Sequence, residues 1–387
     1  MLLKLLKSVI KRRARDPGTP APVGYSGPRY GGFVGFVADV EEARFLAPGD
    51  AIAASQASLR LRVGIPATRL RRTVPVCLLP LEFIEQDPTL ETLGEPRAIV
   101  IGKFPVRRIA GEPARFVALL RWIEDSRRRC LVVADLSDDL NAAARMYELP
   151  WLAEFQQRLA QACPLTVPSA AMRERVSRTA AHGVTVIEDP YEREVAAPAR
   201  FAPAHVVRLA WFGVFGPPLR PFIEAQFSGI ARRLAPRPLE IGFVTDAAQE
   251  GLVAQMAAAL RAIHSVCNLH FVSWSLDAVG KEVTKADLVV LPQDAGSEWG
   301  RVKSHNRLVE ALRAGRFAVV SPIPSYRELE EWAWVGEDLA DGVEWALAHP
   351  AEVVQRIVGG QALVEQRFSP ERIGGLWANL LGVEEAR

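Results

Sequence analysis

Cysteine is scarce and scattered: Cys77, Cys130, Cys163 and Cys267 form no CxxC pair. That spacing argues against a zinc site or a disulfide framework and suits a reducing cytosol. The six histidines are dispersed and assemble neither a metal cluster nor a nucleophile triad. Excess charge is also missing. Formal net charge is only +2, so electrostatics give no reason to expect a nucleic-acid partner. No run approaches the roughly 20 apolar residues that a membrane span requires. Short repeats and long low-complexity tracts are absent as well.

What is present is an ordinary globular composition, 49% apolar and 24% charged, over 387 residues. That length exceeds what one hydrophobic core usually supports, so two domains are expected. The first 20 residues stand apart. "MLLKLLKSVIKRRARDP" places Leu2, Leu3, Leu6, Val9 and Ile10 near one helical face, followed by Lys11, Arg12, Arg13 and Arg15. Lys4 and Lys7 interrupt it too soon for a span or a signal peptide. A basic amphipathic helix can lie on an anionic membrane surface through residues 1–15; equally, it can pack on its own protein with a solvated basic end. The expected location is cytoplasmic, with a peripheral position at the inner face of the membrane on the first reading.

Short apolar runs alternate with helical stretches throughout. Strands are expected at "GFVGFVADV", "VPVCLLPL", "RAIVIGKF", "CLVVADLS", "PLTVPS" and "VTVIED". A second set follows at "VVRLAWFGVFG", "PLEIGFVTD", "NLHFVSWS", "ADLVVLPQD" and "FAVVSPI". Continuous apolar strands separated by helices mean parallel sheets covered on both faces. The fold class is therefore α/β, with two doubly wound Rossmann-like domains facing a cleft. The expected boundaries are 1–20 for the basic segment, 21–200 and 201–365 for the two domains, and 366–387 for a closing helix. "YEREVAAPARFAPAH" reads as the linker, near residues 191–205.

One segment narrows the chemistry. In "VKSHNRLVEALRAG", residues 302–315, Lys303, Asn306, Arg307 and Glu310 share one helical stripe. Free amides of a helix's first turn, with its dipole, form an anion site. Lys303 and Arg307 add positive charge, Ser304 and Asn306 add donors, and Glu310 can accept from a ribose diol. A solvated charge stripe at a helix end is the plainer alternative.

"VKSHNRLVEALRAGRFAVVSPIPSYREL" resembles the donor-binding segment of GT-B glycosyltransferases, particularly their retaining, nucleotide-sugar-dependent branch. Glu310, Ala311, Ala314, Gly315, the strand "FAVVS" and Pro324 follow that family's order. The resemblance implies that Glu310 holds the nucleotide ribose and that Lys303, Ser304, His305, Asn306 and Arg307 surround the diphosphate. "RLAWFGVFG" resembles the strand and glycine loop opening the family's second domain. Gly213, Phe215 and Gly216 would lie beside the donor phosphates there, with Arg220 the first basic residue beyond. "QRFSPERIGGLWANLL" resembles a closing helix that returns towards the first domain. The implied enzyme is metal-independent and needs no cofactor beyond its nucleotide-sugar substrate.

The pattern departs from the family in two places. Many retaining members carry an acidic residue eight positions before the ribose-binding one; here that position is Val302, and Glu298 in the preceding loop has the wrong spacing. After the glycine loop, Pro217 and Pro218 precede Arg220, so Lys303 is the candidate for the missing phosphate charge. In the first half, Asp135, Asp138 and Asp139 follow an apolar strand, where carboxylates can bind a cation or accept protons. Helix capping is the competing use. Asp135, Asp138 and Lys103, the last at the end of "AIVIGKF", are the catalytic candidates. Ser55 and Gln56, ahead of a helical run with Arg60, form a further candidate acceptor contact.

The resulting expectation is a glycosyltransferase moving a sugar from a nucleoside diphosphate to a hydroxyl of a glycan or lipid-linked acceptor, in surface polysaccharide or glycolipid synthesis. A catalytically idle GT-B-like partner protein is the alternative, favoured by Val302. A nucleotide-sugar epimerase is a third reading.

Overall fold

The computed structural model describes residues 25–47, 50, 56–102, 113–193, 196–216 and 219–383. The basic segment 1–15, Ser55, Lys103, Pro217 and Pro218 lie outside the described residues. The chain divides into two units, Met1–Asp189 with Pro370–Arg387, and Pro190–Ser369.

The first unit holds strands β1 (Phe33–Val37), β2 (Arg44–Phe45), β3 (Val76–Leu79), β4 (Pro96–Ile101), β5 (Leu131–Asp135), β6 (Leu165–Val167) and β7 (Val184–Val186). They form one sheet in the order β2-β3-β1-β4-β5-β6-β7. All neighbours are parallel except β2, which pairs antiparallel with β3. Every residue of β1 and β3 is buried, as strands covered on both faces must be. The edge strand β2 was not expected; two residues leave no periodicity to read.

The helical run after residue 56 is not one α-helix. A turn of α-helix, α1 (Ala57–Leu59), passes into five residues of π-helix, Arg60–Gly64, and then into α2 (Ile65–Leu70). All five π-helical residues are buried, Arg60 and Arg62 included. Wider π turns are uncommon and frequently mark functional or strained sites. Along the chain follow α3 (Leu81–Gln86), α4 (Pro113–Ser126), α5 (Leu140–Tyr147), α6 (Trp151–Ala162) and α7 (Ala170–Ser177).

In the second unit β8 (Val207–Phe212), β9 (Leu239–Thr245), β10 (Cys267–Ser273), β11 (Leu288–Leu291), β12 (Phe317–Val320) and β13 (Trp334–Val335) form a fully parallel sheet. Its order is β10-β9-β8-β11-β12-β13, so the chain winds outward one way from β8 and then the other way from β11. Between them run α8 (Arg220–Leu234), α9 (Glu250–Ile263), α10 (Leu276–Lys285), α11 (Glu298–Arg301), α12 (Asn306–Arg313), α13 (Pro324–Arg327), α14 (Leu339–Ala348) and α15 (Pro350–Phe368). On one face Trp211 stacks on Phe243 with ring centroids 4.1 Å apart, and Phe215 and Phe227 meet Phe243 edge-on.

The last helix, α16 (Pro370–Leu380), belongs to the first unit. Its Ile373, Trp377 and Ala378 join Val34, Phe36, Leu78 and Val133 in that unit's core. The divisions fall at Asp189/Pro190 and Ser369/Pro370 rather than within the segment 191–205 expected to be a linker. That segment is bonded to the second unit. Tyr191 N–H donates to Phe368 O at 3.0 Å, Ala197 N–H to Arg313 O at 3.2 Å, and Arg200 N–H to Gly315 O at 3.1 Å.

Candidate functional site

In a doubly wound sheet the chain leaves adjacent strands in opposite directions at one point, opening a crevice beyond their carboxyl ends. In the second unit that point lies between β8 and β11. Just past β8, Gly213 takes φ = 152°, a conformation side chains rarely adopt, and a Cβ there would lie 3.1 Å from Arg307 Nη1. Just past β11, Gln293 Oε1 accepts from Arg307 Nη2 at 2.7 Å. Gln293 N–H in turn donates to Ser321 Oγ at 2.9 Å, just beyond β12. Arg307, in the first turn of α12, thus spans the two diverging strand ends. Gln293 is 4% exposed, and its Nε2 has no hydrogen-bond partner among the described residues.

The helix opens later than expected. Ser297 caps the short α11, which begins at Glu298, and α12 starts at Asn306 with His305 as its cap residue. Glu298 is therefore helical rather than in a loop, and Lys303 and Ser304 lie in the turn between α11 and α12. Lys303 Nζ sits 3.7 Å over the Trp299 ring. Asn306 Oδ1 accepts from Arg307 N–H at 2.7 Å, within the helix's first turn.

Two of the expected donor contacts, His305 and Phe215, are buried side chains. His305 is 1% exposed, with Nε2 3.1 Å from Glu328 Oε2 and its ring 5.3 Å from that of Phe368. Burial alone would raise the Glu328 carboxyl, but His305 and Arg367 hold it down at about 2. Phe215 is 0% exposed and lies edge-on to Trp211 and Phe243, so its ring serves the hydrophobic core. Gly216 O accepts from Leu219 and Arg220 N–H, forming the turn into α8. Arg220 pairs with Glu224 at 2.7 Å and also reaches Gln255 at 3.2 Å.

Glu310 Oε1 accepts from Glu192 N–H at 2.5 Å. The residue retains some solvent access, yet burial of the carboxyl group pushes it up to about 7. The Glu192 amide, Arg193 and Arg313 pull the other way without cancelling that effect.

In the first unit the corresponding switch lies between β1 and β4, where a small crevice is lined by Asp39, Gln56, Ser58, Arg62, Asp135 and Ser137. Gln56 Nε2 donates to Asp39 at 3.3 Å. Asp135 is 4% exposed. It accepts from Arg62 at 2.6 and 3.1 Å and from Thr166 Oγ1 at 2.6 Å. Arg62 also pairs with Asp189 at 3.3 Å. Asp135 is thus the counter-ion of a buried arginine, with both carboxylate oxygens taken up by Arg62 and Thr166. Asp139 caps α5 through Asn141 N–H and pairs with Arg175. Asp138 lies in the same turn, partly exposed. Asp139→Ala is expected to cost about 1–2 kcal/mol, measured as a lower urea midpoint; an unchanged midpoint would remove the capping assignment.

The sequence reading missed Arg62, Gln293 and Asp189. An arginine inside the apolar run "LRLRVGIP" was the available signal for the first, because a buried arginine requires an acidic partner. Nothing local marked the other two.

No family model matches the chain, and no curated protein is a significant match. Solved structures do match. HepE from Anabaena in complex with UDP-glucose is 13% identical, with 90% of this chain and 99% of that one covered and a TM-score of 0.60. The apo structure of OtsA is 10% identical, covering 92% and 100% of the two chains at a TM-score of 0.63. TarM, 12% identical, matches over 78% of this chain and 58% of its own at 0.55. The fold is therefore the GT-B fold, two Rossmann-like bodies in one chain. At such identities the likeness concerns the fold alone.

Proposed function

We propose that the chain transfers a sugar from a nucleoside diphosphate sugar to a hydroxyl of a glycan or lipid-linked acceptor, with retention of configuration and without a metal ion. The observation that carries this reading is Arg307 bridging the ends of β8 and β11 beside the bare backbone of Gly213. A guanidinium there, with the amides opening α12, suits a diphosphate whose charge grows as the sugar departs; donors fixed beforehand stabilise that charge most effectively. Glu310, one turn further, would take the ribose. HepE, which has the same fold, binds UDP-glucose. A cytoplasmic protein with residues 1–15 on a membrane surface would meet lipid-linked acceptors and serve surface polysaccharide or glycolipid synthesis.

One observation favours the idle-partner reading. Val302, at the position where many retaining members carry an acidic residue, is buried at 7% exposure.

Thermal unfolding against UDP, GDP, CMP, ADP and dTDP tests the proposal. A nucleotide bound only by the folded chain stabilises it by about 2.7 kcal/mol at a hundred times its dissociation constant. One nucleotide should raise the midpoint, and Arg307→Ala should remove the rise. Absence of any shift at millimolar concentration would overturn the nucleotide site. A shift with no transfer to any acceptor would favour the idle partner.

A further inference from the structure

Three arginines wholly or partly withdrawn from solvent are neutralised by carboxylates: Arg62 by Asp135 and Asp189, Arg313 by Glu365, and Arg356 by Glu352. Arg307 is half-buried too, yet it forms no ion pair among the described residues. Neutral groups hold it instead. Nη2 donates to Gln293 Oε1 at 2.7 Å, and Nη1 lies so close to the backbone of Gly213 that a Cβ there would stand 3.1 Å away. Gln293 is itself fixed. Its N–H donates to Ser321 Oγ at 2.9 Å, and Ser321 N–H donates to Leu291 O at 3.4 Å. A guanidinium has donors only, so the amide must turn its oxygen towards it. The remaining Nε2 is a second donor, buried and without a partner among the described residues. What the pair leaves over is therefore positive charge and N–H donors.

The geometry points to Gln293 as the positioning residue that makes Arg307 a reader of anionic ligands: its carbonyl aims the guanidinium, and its lack of charge leaves that cation unneutralised for a diphosphate. The inference rests on the nucleoside diphosphate reading for its ligand. A glutamate at this position would aim Arg307 equally well, through a stronger charge-assisted bond. It would also cancel the charge and set a carboxylate beside the arriving anion. A neutral amide gives up that internal ion pair and keeps the donor set fixed and charged before the ligand arrives, the state in which it stabilises a growing negative charge most effectively.

The test is isothermal titration of the full chain with inorganic pyrophosphate and with UDP, GDP, ADP and dTDP. Gln293→Glu should weaken binding about a hundredfold at about pH 8, because the ligand then meets a like charge. Gln293→Met loses the aim but not the charge, and should weaken it about fivefold. In an Arg307→Met background Gln293→Met should have no further effect, since the residue acts through that guanidinium. The ratio of wild-type to Gln293→Glu affinity, in which Glu310 and the ligand's own phosphates cancel, should shrink as pH falls below about 6 and the new carboxyl takes up a proton. A ratio flat from about pH 8 to about 4.5 would overturn the assignment. So would equal losses in the two variants, or an effect of Gln293→Met that persists without Arg307. Any of these leaves the nucleotide reading standing while wild type binds a nucleoside diphosphate. If pyrophosphate alone binds and the variants behave as stated, the nucleotide reading fails and the role of Gln293 stands. If wild type binds neither, both fall.

Discussion

Arg62→Met is expected to destabilise the first unit by about 3–5 kcal/mol, the usual cost of removing one partner from a buried ion pair. Methionine is close to arginine in length and fills the site with apolar atoms, so lost packing contributes little. The cost comes from what remains: Asp135, 4% exposed, would be a buried carboxylate without the Arg62 cation, and Asp189, 7% exposed, would lose its pairing with Arg62. Thr166 Oγ1 satisfies one oxygen of Asp135 but supplies no charge. In the native chain, burial alone would lower the Arg62 pKa, yet Asp135 and Asp189 more than offset that and raise it. Urea unfolding of the full chain, followed through the first unit's transition, measures the loss. Adding Asp135→Asn and Asp189→Asn to Arg62→Met should recover a large part of it, because neutralising the whole cluster removes the stranded charge. A single-variant loss below about 1 kcal/mol would mean that the carboxylates find water or protons instead, and that the cluster is not a closed structural unit.

This cluster also shows where reading a sequence stops. Strands such as "FVGFV" and "VCLL" were legible because burial on both faces demands uninterrupted apolar residues, and parallel order follows from the helices between them. Arg62 was not, since its partners stand 73 and 127 positions away and no local pattern joins them. The same distance hid the true character of the segment after Asp189. Its charges and prolines read as a linker. In the fold, Tyr191 bonds Glu365, 174 positions on, and Arg313 lies 4.1 Å over the Tyr191 ring. Part of the stripe, Asn306, Arg307 and Glu310, was identifiable by periodicity alone, whereas Lys303 lies ahead of the helix. Its division was not: Arg307 turns to the strand ends, Lys303 to Trp299 ahead of the helix, and Glu310 to the Glu192 amide. Helical spacing places residues on one face, but only the fold says what that face meets.

Glu310→Gln should reshape the pH dependence of stability and, by the same chemistry, that of nucleotide binding. The carboxyl is raised from an ordinary 4.5 to about 7 in the folded chain, chiefly by burial. A raised acid favours folding fully below its unfolded pKa, and that advantage disappears as pH rises through the folded one. Wild type should therefore lose up to about 3 kcal/mol from this group as pH rises from the unfolded value past the folded one, since a tenfold change in proton affinity is worth about 1.4 kcal/mol. Glutamine keeps an oxygen for the Glu192 amide and carries no charge, so the variant should lack this loss. Its stability relative to wild type should grow as pH rises through about 5–7, read as the difference in urea midpoints. A ribose diol donating to Glu310 would favour the ionised carboxylate and draw its pKa back down. Nucleotide affinity in wild type should then increase with pH, by about tenfold for each pH unit below 7, and level off above it. Glu310→Gln should bind more weakly at about pH 8 and show no such slope. A wild-type affinity flat from about pH 5.5 to 8 would mean that Glu310 serves only to tether Glu192, and that the nucleotide's hydroxyls are held elsewhere.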